Sequence, residues 1–328
     1  MSIPSHGPRP PAASPLAVAP TVATVFPVPG TTRDVIGDVT RDGDLHYVDT
    51  GMYDTAEYGA VYLLDADRPA LVDTGIGTNH ERVLDLLASA GVDREELAAI
   101  AVTHVHLDHA GGAGFLAAAC PNADVYVHER GVRHLADPSR LVAGTREAVG
   151  DQWRYYVEPE PVPEDRLVAL ADGDAVDLGS ERLVAHAAPG HAPHQHVFHA
   201  PAREAVFVAD AAGIYLPGRD EVRETTPPPQ FDPERALADI ETIRDLDPDR
   251  LLYPHFGPAP TGDRLDEYAD RLRSFVDRIR RLRAEMDDET VVERVAATAD
   301  TVDVWGEHKA RGEAAMNARG VLAALDRA

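Results

Sequence analysis

The stretch that most restricts how this chain can fold is LAAIAVTHVHLDHAGG, residues 97–112, in which an apolar strand-like run leads directly into a polar turn. Four side chains of metal-binding types stand in that turn, within six positions: His104, His106, Asp108 and His109. Residues two apart on an extended chain point to the same side, so the first two histidines can share a metal. The two glycines that follow allow a close backbone approach at the start of a helix. Four ligands from one turn could therefore supply two adjacent metal sites.

Strand-like and helix-like segments alternate on either side of this turn. LHYVDT and AVYLLDADRPALVDTG have the β-branched and aromatic residues of paired strands, and NHERVLDLLASAG has apolar residues at helical spacing before Gly91. A second strand-rich series runs from LVAL to EAVFVAD. We expect residues 131–165 to be a helical excursion or lid, and GRDEVRETTPPPQ to be a loop. The pattern alone supports mixed α and β structure, and it suggests two sheets packed face to face with helices outside.

The length of 328 residues favours one large domain with an appendage. Residues 1–22 are rich in Pro and Ala and are expected to form a disordered tail. We expect a catalytic domain over residues 23–262. Residues 263–328 are helical in pattern and strongly charged, so they are expected to form a C-terminal extension. That extension could shape a substrate mouth, or it could be a cap or an oligomerisation element.

Charge and cysteine content narrow the classes of function. Acidic residues outnumber basic ones 56 to 31, a formal net charge of -25, and Lys309 is the only lysine. This charge repels nucleic-acid phosphate, so we expect no nucleic-acid partner, and it resembles the acidic surfaces of proteins adapted to high salt. Cys120 is the only cysteine, which excludes an intramolecular disulfide and a thiolate-rich zinc site. No apolar run reaches about 18–20 residues, so we expect a cytoplasmic protein without a membrane partner.

Three later loops offer further metal ligands, and each follows an apolar strand. APGHAPHQH contains His191, VFVADAAG contains Asp210 and LLYPHFG contains His255. Side chains at such positions can converge on one end of a sheet. A single histidine after a strand is usually an ordinary surface or packed residue. The order H-x-H-x-D-H before two glycines favours a metal role instead.

These landmarks resemble the metallo-β-lactamase superfamily, the hydrolases that include glyoxalase II. THVHLDHAGG matches the signature loop of that family, and VDTG at 72–75 matches its upstream strand and turn. APGHAPHQH resembles the loop of its third histidine, VFVAD the strand of its bridging aspartate, and YPHFG its final histidine. The five motifs occur in family order. The resemblance implies an α+β fold, namely a four-layer αββα sandwich with a dinuclear site at its edge and a C-terminal helical extension.

The resemblance also implies a role for each ligand. The first metal would be held by His104, His106 and His191, the second by Asp108, His109 and His255, and both by Asp210. Asp108 and Asp210 would be the catalytic residues, with a metal-bound hydroxide as the nucleophile. Two divalent ions are implied. Zinc is the preferred metal, and iron and manganese are the alternatives. Metal binding lowers the pKa of water from about 15.7 to about 7, so no serine or cysteine nucleophile is needed.

One loop departs from the family pattern. The family commonly has Gly-His-Thr-Pro-Gly, whereas this chain has Ala192 in the third position and His194 in the fifth. The departure leaves the metal ligand intact and alters the expected pocket near His194. We therefore name His194 as a candidate substrate contact, and Tyr215 is a second candidate because it follows soon after Asp210. Asp73 is expected to orient a ligand or stabilise the turn rather than to bind metal.

Other aromatic and imidazole side chains have two interpretations, packing or contact with substrate or metal. The aromatic ones are Trp153, Tyr155 and Tyr156. The histidines are His128, His186, His196 and His199. Because the implied ligand set is complete without them, packing is the preferred interpretation for all seven.

The reaction class implied by the resemblance is hydrolysis of an ester, thioester or lactone bond in a small-molecule substrate. The main alternative is an oxidoreductase that resembles persulfide dioxygenases, which use one iron held by two histidines and the bridging aspartate. The second ligand set, including Asp108 and His255, favours two metals. A non-catalytic binding module would be expected to lack ligands, and none is missing. The sequence leaves the substrate and a homo-oligomeric state open.

Overall fold

The computed structural model describes residues 34–36 and 39–328, so the expected tail at residues 1–22 lies outside the described residues. The first sheet has eight strands in chain order: β1 (Asp34–Ile36), β2 (Val39–Asp42), β3 (Leu45–Asp49), β4 (Ala60–Leu64), β5 (Ala70–Val72), β6 (Ala99–Ala101), β7 (Asp124–His128) and β8 (Leu167–Leu170). Pairing is antiparallel from β1 to β5 and parallel from β5 to β8. The parallel half therefore ends with several carboxyl ends at one edge of the sheet.

The remaining strands form a second sheet and a separate hairpin. They are β9 (Ala175–Asp177), β10 (Arg182–Ala187), β11 (His196–Ala200), β12 (Ala205–Phe207), β13 (Ile214–Leu216), β14 (Glu221–Arg223), β15 (Arg250–Tyr253) and β16 (Gly257–Pro260). The second sheet has the order β16-β15-β12-β11-β10-β9, and β13 pairs with β14 alone. β12 and β15 run parallel, so the loops that follow them leave the sheet at the same end.

Helices cover the outer faces of both sheets. Those of the first half are α1 (His80–Ala90), α2 (Leu107–Ala110), α3 (Ala113–Ala119), α4 (Val132–Ala136) and α5 (Ser139–Val149). Those of the second half are α6 (Pro233–Asp245), α7 (Arg264–Arg283), α8 (Asp288–Ala297) and α9 (Val302–Arg327). α1 ends where Gly91 takes a left-handed conformation, as its sequence pattern predicts. α6 begins at a capping residue, Asp232, whose side chain accepts hydrogen bonds from two backbone N–H groups of the first turn.

The side chains of β4 point alternately to the two faces of the first sheet, and this explains how the layers assemble. Val61 and Leu63 pack against the helices outside the first sheet, whereas Tyr62 and Leu64 pack between the two sheets. Successive strand residues point to opposite faces, so a strand that is apolar throughout must be covered on both sides. The space between the sheets is filled from the second sheet by apolar side chains such as Leu183, Phe198, Phe207 and Leu252. The four-layer αββα sandwich is therefore confirmed.

Two segments with weak sequence patterns have defined structures. Residues 131–165 contain α4 and α5, in agreement with the expected helical excursion. The expected loop GRDEVRETTPPPQ contains β14, so that expectation was wrong at its centre. The strand is only three residues long, and it is fixed by pairing with β13 and by the buried side chain of Val222. Such a short strand lacks the alternation from which a strand is predicted.

The C-terminal helices pack tightly on the sandwich. The last strand ends at Pro260 and α7 begins at Arg264, on either side of the expected boundary at residue 263. Thr226 donates its backbone N–H to Oδ1 of Asn317 in α9 at 2.7 Å and its hydroxyl to the Asn317 carbonyl at 2.9 Å. The division into a catalytic domain and an extension stays a prediction. The position of α9 relative to the sandwich is nevertheless set by buried hydrogen bonds.

α6 also fixes the loop that carries His191. The backbone N–H of Gly190 donates to Oδ2 of Asp239 at 2.6 Å, and Asp239 is buried. A Cβ atom at position 190 would lie 2.2 Å from the backbone nitrogen of Ala236, so only glycine fits there. Burial raises the pKa of Asp239 from 3.8 to about 7, because water no longer solvates its charged form.

The raised pKa of Asp239 predicts a pH-dependent stability. The folded state holds this proton more tightly than the unfolded state, so the stabilising contribution is full below pH 3.8 and is lost as the pH rises through about 7. Asp239→Asn keeps an oxygen acceptor for Gly190 and cannot ionise. As the pH rises from 5 to 8, the free energy of unfolding of Asp239→Asn should therefore increase by about 2 kcal/mol relative to that of wild type.

Urea denaturation at several pH values measures this difference. Asp85→Asn, on the exposed side of α1, is the matched control and should differ from wild type by the same amount at every pH. A constant difference between Asp239→Asn and wild type would contradict the assignment.

Candidate metal centre

The seven predicted ligands converge at one edge of the sandwich. His104, His106, Asp108 and His109 lie between β6 and the end of α2. The others come from three loops of the second sheet, with His191 between β10 and β11, Asp210 after β12 and His255 between β15 and β16. The short helix α2 turns the chain so that neighbouring residues face different partners. A Cβ atom at Gly112 would lie 2.5 Å from the carbonyl oxygen of Thr74, so this turn approaches the loop after β5 as closely as the glycine predicts.

The potential ligand atoms form three overlapping groups, each with its atoms within 4.8 Å of one another. The groups are His104, His106 and His191; His104, His109 and Asp210; and Asp108, His109 and His255. The first and third correspond to the two metal sites that the family resemblance implies. Asp210 lies between them, with Oδ2 3.1 Å from Nε2 of His191 and Oδ1 3.4 Å from Nε2 of His109.

Distances between ring nitrogens test whether a metal fits these groups. Nδ1 of His106 lies 3.1 Å from Nε2 of His104 and 3.0 Å from Nε2 of His191. Nε2 of His255 lies 3.2 Å from Nε2 of His109. Nitrogens at ~2.0–2.1 Å from a tetrahedral zinc are about 3.3 Å apart, so the observed spacing is close to that of a zinc site. Each group could hold one divalent ion.

Asp210 provides an independent test of whether a cation fits. Its Oδ1 atom is buried and has no hydrogen-bond partner in the described part of the chain. Burial alone would raise the pKa of Asp210, but His191 and His109 lower it well below its usual range. An ionised, buried oxygen without a donor is costly unless a cation compensates it. The residues present therefore fit a bridging carboxylate between two metals.

Imidazole protonation also matches metal binding. Burial, together with His191, lowers the pKa of His106 to about 3, and burial followed by His109 lowers the pKa of His104. Both rings are therefore neutral near pH 7, which is the form that binds a metal. For His109, burial lowers the pKa, but the carboxylates of Asp210 and Asp108 raise it by more. The pair of carboxylates thus attracts positive charge to the centre of the site.

One carboxylate orients histidines in both halves of the site. Oδ1 of Asp73 accepts hydrogen bonds from the backbone N–H and the hydroxyl of Thr103, both at 2.8 Å. Nδ1 of His109 lies 3.0 Å from Oδ2 of Asp73, and Nδ1 of His104 lies 3.2 Å from the Thr103 hydroxyl. A histidine that donates from Nδ1 leaves Nε2 free for a metal. Asp73 thus lies beside the ligands rather than among them, as expected from the sequence.

His255 is oriented by a different partner. Its Nδ1 atom lies 2.7 Å from the backbone carbonyl oxygen of Tyr58, which can accept a hydrogen bond from it. The ring of Tyr58 lies 5.1 Å from the ring of His255, measured between centroids. Tyr58 belongs to the loop between β3 and β4, far from His255 in sequence. The free Nε2 atom of His255 again faces the other ligands.

Among the described residues, the candidate ligands are exposed mainly on one side of the site. The side chain of Asp108 is 24% exposed, whereas those of His109, His191, Asp210 and His255 are at most 4% exposed. His106 is also partly exposed. Burial raises the pKa of Asp108, but His109 and His255 lower it by more, so the carboxylate is ionised near neutral pH. A substrate would reach the centre from the side of His106 and Asp108.

The two substrate candidates have different positions. His194 lies beside the ligands, with its ring 5.5 Å from His106 and 6.2 Å from His104, and burial lowers its pKa to about 2. The side chain of Tyr215 stacks on Tyr253, and its hydroxyl donates to Asp220. His194 thus stays a candidate for substrate contact, whereas the contacts of Tyr215 account for its side chain without a substrate.

Aromatic side chains from three separated segments form one cluster beside His255. Tyr53 and Tyr58 come from the loop between β3 and β4, Tyr156 from the segment after α5, and Trp305 from α9. The hydroxyls of Tyr53 and Tyr156 are 2.5 Å apart. Tyr155 and Tyr156 were named from the sequence, but Tyr53 and Tyr58 were not. These last two tyrosines lie between glycines in the loop GMYDTAEYG, and that pattern could have identified them.

The four other histidines named in the sequence analysis pack in two pairs outside the three ligand groups. His128 stacks on His196 at 4.6 Å, and His186 lies 6.1 Å from His199. Trp153 stacks on Tyr156. Packing, the preferred interpretation for these side chains, agrees with their contacts. Cys120 is buried, and burial raises the pKa of its thiol to about 11, so it is a poor nucleophile.

No helix within the described ranges is both long and apolar enough to cross a membrane. The sequence profile of the metallo-beta-lactamase superfamily matches residues 54–255. This range contains all seven candidate ligands. It begins within the loop between β3 and β4 and ends at His255.

Three of the proteins that are similar to this chain show how far the similarity extends. The metallo-beta-lactamase fold-containing protein ST1585 of Sulfurisphaera tokodaii is 24% identical over 218 residues, covering 65% of this chain and 78% of its own. Its crystal structure superposes with a TM-score of 0.65 and 21% identity, covering 85% of this chain and 98% of its own. The metallo-beta-lactamase family protein TTHA1429 of Thermus thermophilus superposes with a TM-score of 0.58 and 22% identity. The superposition covers 82% of this chain and 88% of that protein's own chain.

The third is the acyl-coenzyme A thioesterase MBLAC2 of Bos taurus. It is 27% identical over 190 residues, which cover 51% of this chain. This chain spans 62% of the length of that relative.

Asp73 provides a test of how the ligands are oriented. Asp73→Asn keeps the size of the side chain and tolerates the left-handed backbone at this position, where φ is 61°. It has only one oxygen acceptor, so Thr103 or His109 loses a hydrogen bond. We expect zinc affinity to fall by about 10–100-fold with little change in the far-ultraviolet circular dichroism of the metal-free protein.

Competition with a chromophoric chelator measures that affinity, with Asp85→Asn as the matched control. Unchanged zinc affinity in Asp73→Asn would show that Asp73 does not orient the ligands.

Proposed function

Because this chain belongs to the metallo-beta-lactamase superfamily, we propose that it is a dinuclear metal-dependent hydrolase that cleaves an ester, thioester or lactone bond in a small molecule. The observation that carries this proposal is the pair of ligand groups joined by Asp210. Two metal ions, with zinc as the preferred metal, would polarise a carbonyl group and supply a water molecule of low pKa as the nucleophile. The glyoxalase II-like subgroup stays a prediction.

The residues of the chain have separate tasks in this proposal. His104, His106 and His191 would hold the first ion, Asp108, His109 and His255 would hold the second, and Asp210 would bridge them. Asp108 is the ligand carboxylate with the greatest exposure, so it is also placed to accept a proton from the attacking water. Asp73 and the carbonyl of Tyr58 keep the histidine rings in the orientation that leaves Nε2 free.

Two features support a carbonyl substrate. The bovine relative is described as an acyl-coenzyme A thioesterase, and a thioester carbonyl is attacked in the same way as that of an ester or lactone. Tyr155 and Tyr156 are partly exposed and pack against the aromatic cluster beside the site, so they could contact an apolar acyl group. The net charge of -25 does not favour a polyanionic substrate such as a nucleic acid.

Metal content and turnover test the proposal together. We expect about two equivalents of zinc per chain by elemental analysis, and turnover in a panel of thioesters, lactones, phosphodiesters and β-lactams that is fastest for a thioester or lactone. A chelator should remove the activity, and zinc should restore it. Asp210→Ala should abolish turnover and lower the metal content, because it removes the carboxylate that both sites share.

Asp85→Ala is the control and should retain both properties. Retention of full metal content and turnover by Asp210→Ala would refute the proposal.

A second candidate is an iron-dependent oxidoreductase. The group of His104, His109 and Asp210 has two histidines and one carboxylate, which is the ligand set of many non-haem iron oxygenases. The complete second group around His255 makes the hydrolase the preferred function. Iron in the purified protein together with oxygen uptake in the presence of glutathione persulfide would favour the oxidoreductase. Zinc without oxygen uptake would exclude it.

A further inference from the structure

The loop between β3 and β4 connects the metal centre to the C-terminal helix α9. At one end, the carbonyl oxygen of Tyr58 lies 2.7 Å from Nδ1 of His255. At the other end, the hydroxyl of Tyr58 donates to Oε2 of Glu313 in α9 at 2.9 Å. One residue therefore contacts both a candidate ligand and a helix that starts almost fifty residues after that ligand.

This loop has an unfavourable backbone conformation. Tyr53, Asp54 and Glu57 all have φ between 53° and 58°, in the left-handed region that non-glycine residues rarely adopt. Such conformations persist only where the surrounding contacts enforce them. The carboxylate of Asp49 provides some of those contacts, because it accepts from the backbone N–H groups of Gly51 at 2.9 Å and of Glu57 at 2.7 Å. The tyrosine side chains must be held by other contacts.

Lys309, the only lysine of the chain, lies against both tyrosines. Its Nζ atom is 3.9 Å from the ring centroid of Tyr53 and 4.2 Å from that of Tyr58. It also forms an ion pair of 2.7 Å with Glu313. Lys309 and Glu313 are 5% and 4% exposed. An ammonium group is compact enough to lie between two rings, whereas the planar fork of arginine needs more space.

A buried ion pair is weak evidence for a role in stability alone. Removing two charges from water costs about as much as their attraction returns, so an apolar pair of similar size often stabilises a fold as well or better. The best-attested use of such a pair is to fix one arrangement among alternatives. Here the arrangement is that of Tyr53 and Tyr58, because Lys309 touches both rings and Glu313 accepts from the second.

We propose that Lys309 and Glu313 are positioning residues for the second metal site, acting through Tyr58 on His255. The ion pair clamps the two tyrosines, the clamped loop presents the carbonyl of Tyr58, and that carbonyl fixes the ring of His255 with Nε2 toward Asp108 and His109. This inference rests on the dinuclear centre of the proposed function. It makes α9 a part of the metal centre and accounts for a single buried lysine in a chain that otherwise uses arginine.

The test compares the affinities of the two metal sites. In Tyr58→Phe, Lys309→Met and Glu313→Gln, the affinity for the second zinc ion should fall by about tenfold. The affinity for the first ion, held by His104, His106 and His191, should stay within about twofold of wild type. Zinc titrations against chromophoric chelators, and cobalt spectra that resolve the two sites, give these values. A general loss of structure would lower both affinities together.

Two further variants keep the test decisive. Arg311→Met is the matched control, because Arg311 lies in the same helix and pairs at 2.9 Å with the exposed Glu307. It should leave both affinities unchanged. The double variant Lys309→Met/Glu313→Met replaces the ion pair with apolar side chains and is expected to fold. It should show the same tenfold loss at the second site, since it cannot hold the hydroxyl of Tyr58.

The outcomes separate this inference from the proposed function. Failure of the wild-type protein to bind two ions would refute the dinuclear centre itself. If wild type binds two ions and the folded double variant retains its second-site affinity, the positioning role is wrong and the dinuclear centre stands. Loss confined to the second site in all the pair variants, with Arg311→Met unchanged, supports the inference.

Discussion

The arrangement of the candidate metal centre depends on the carboxylate of Asp73. It is buried, and a buried carboxylate is tolerated only when donors compensate its charge. Thr103 and His109 supply those donors, and His104 is linked to the same carboxylate through the Thr103 hydroxyl. One residue thus orients a ligand in each of the first and third groups. The left-handed backbone at Asp73 is the local strain that brings its side chain to this position.

Metal binding and folding are expected to be coupled in such a site. Five imidazoles and two carboxylates are brought together with little access to water. Ring nitrogens face one another at 3.0–3.2 Å, and Asp210 keeps a buried oxygen without a donor among the described residues. Both features are unfavourable until a cation lies between these atoms. The free energy of metal binding should therefore contribute directly to the stability of this edge of the sandwich.

The sequence predicted the fold, and it named candidate ligands that the structure brings together, because the signals for both are local. Four ligand-type residues lie in one turn after an apolar strand, a spacing that is typical of metal ligands and rare in an ordinary solvated loop. His191, Asp210 and His255 follow apolar strands, and strands that are parallel in a sheet end at the same edge. β14 was missed because three residues carry too little alternation to indicate a strand. The family resemblance supplied the division of ligands between two sites.

The sequence by itself determined which side chains could bind metal, since ligand chemistry and strand ends are properties of short segments. The sequence also named Asp73 as an orienting residue, whereas only the tertiary structure decided that the carbonyl of Tyr58 faces His255. Tyr58 contacts His255 and Glu313 across separations of 197 and 255 residues. Such contacts depend on how the loop between β3 and β4 packs against α9, and no short-range pattern encodes this packing. Tyr215 lies close to Asp210 in the sequence, and the fold directs its hydroxyl toward Asp220, so a substrate contact by Tyr215 stays a prediction. Lys309 was conspicuous in the sequence as a lone lysine, but its contacts came from the fold, where a buried ammonium must lie against acceptors and aromatic rings.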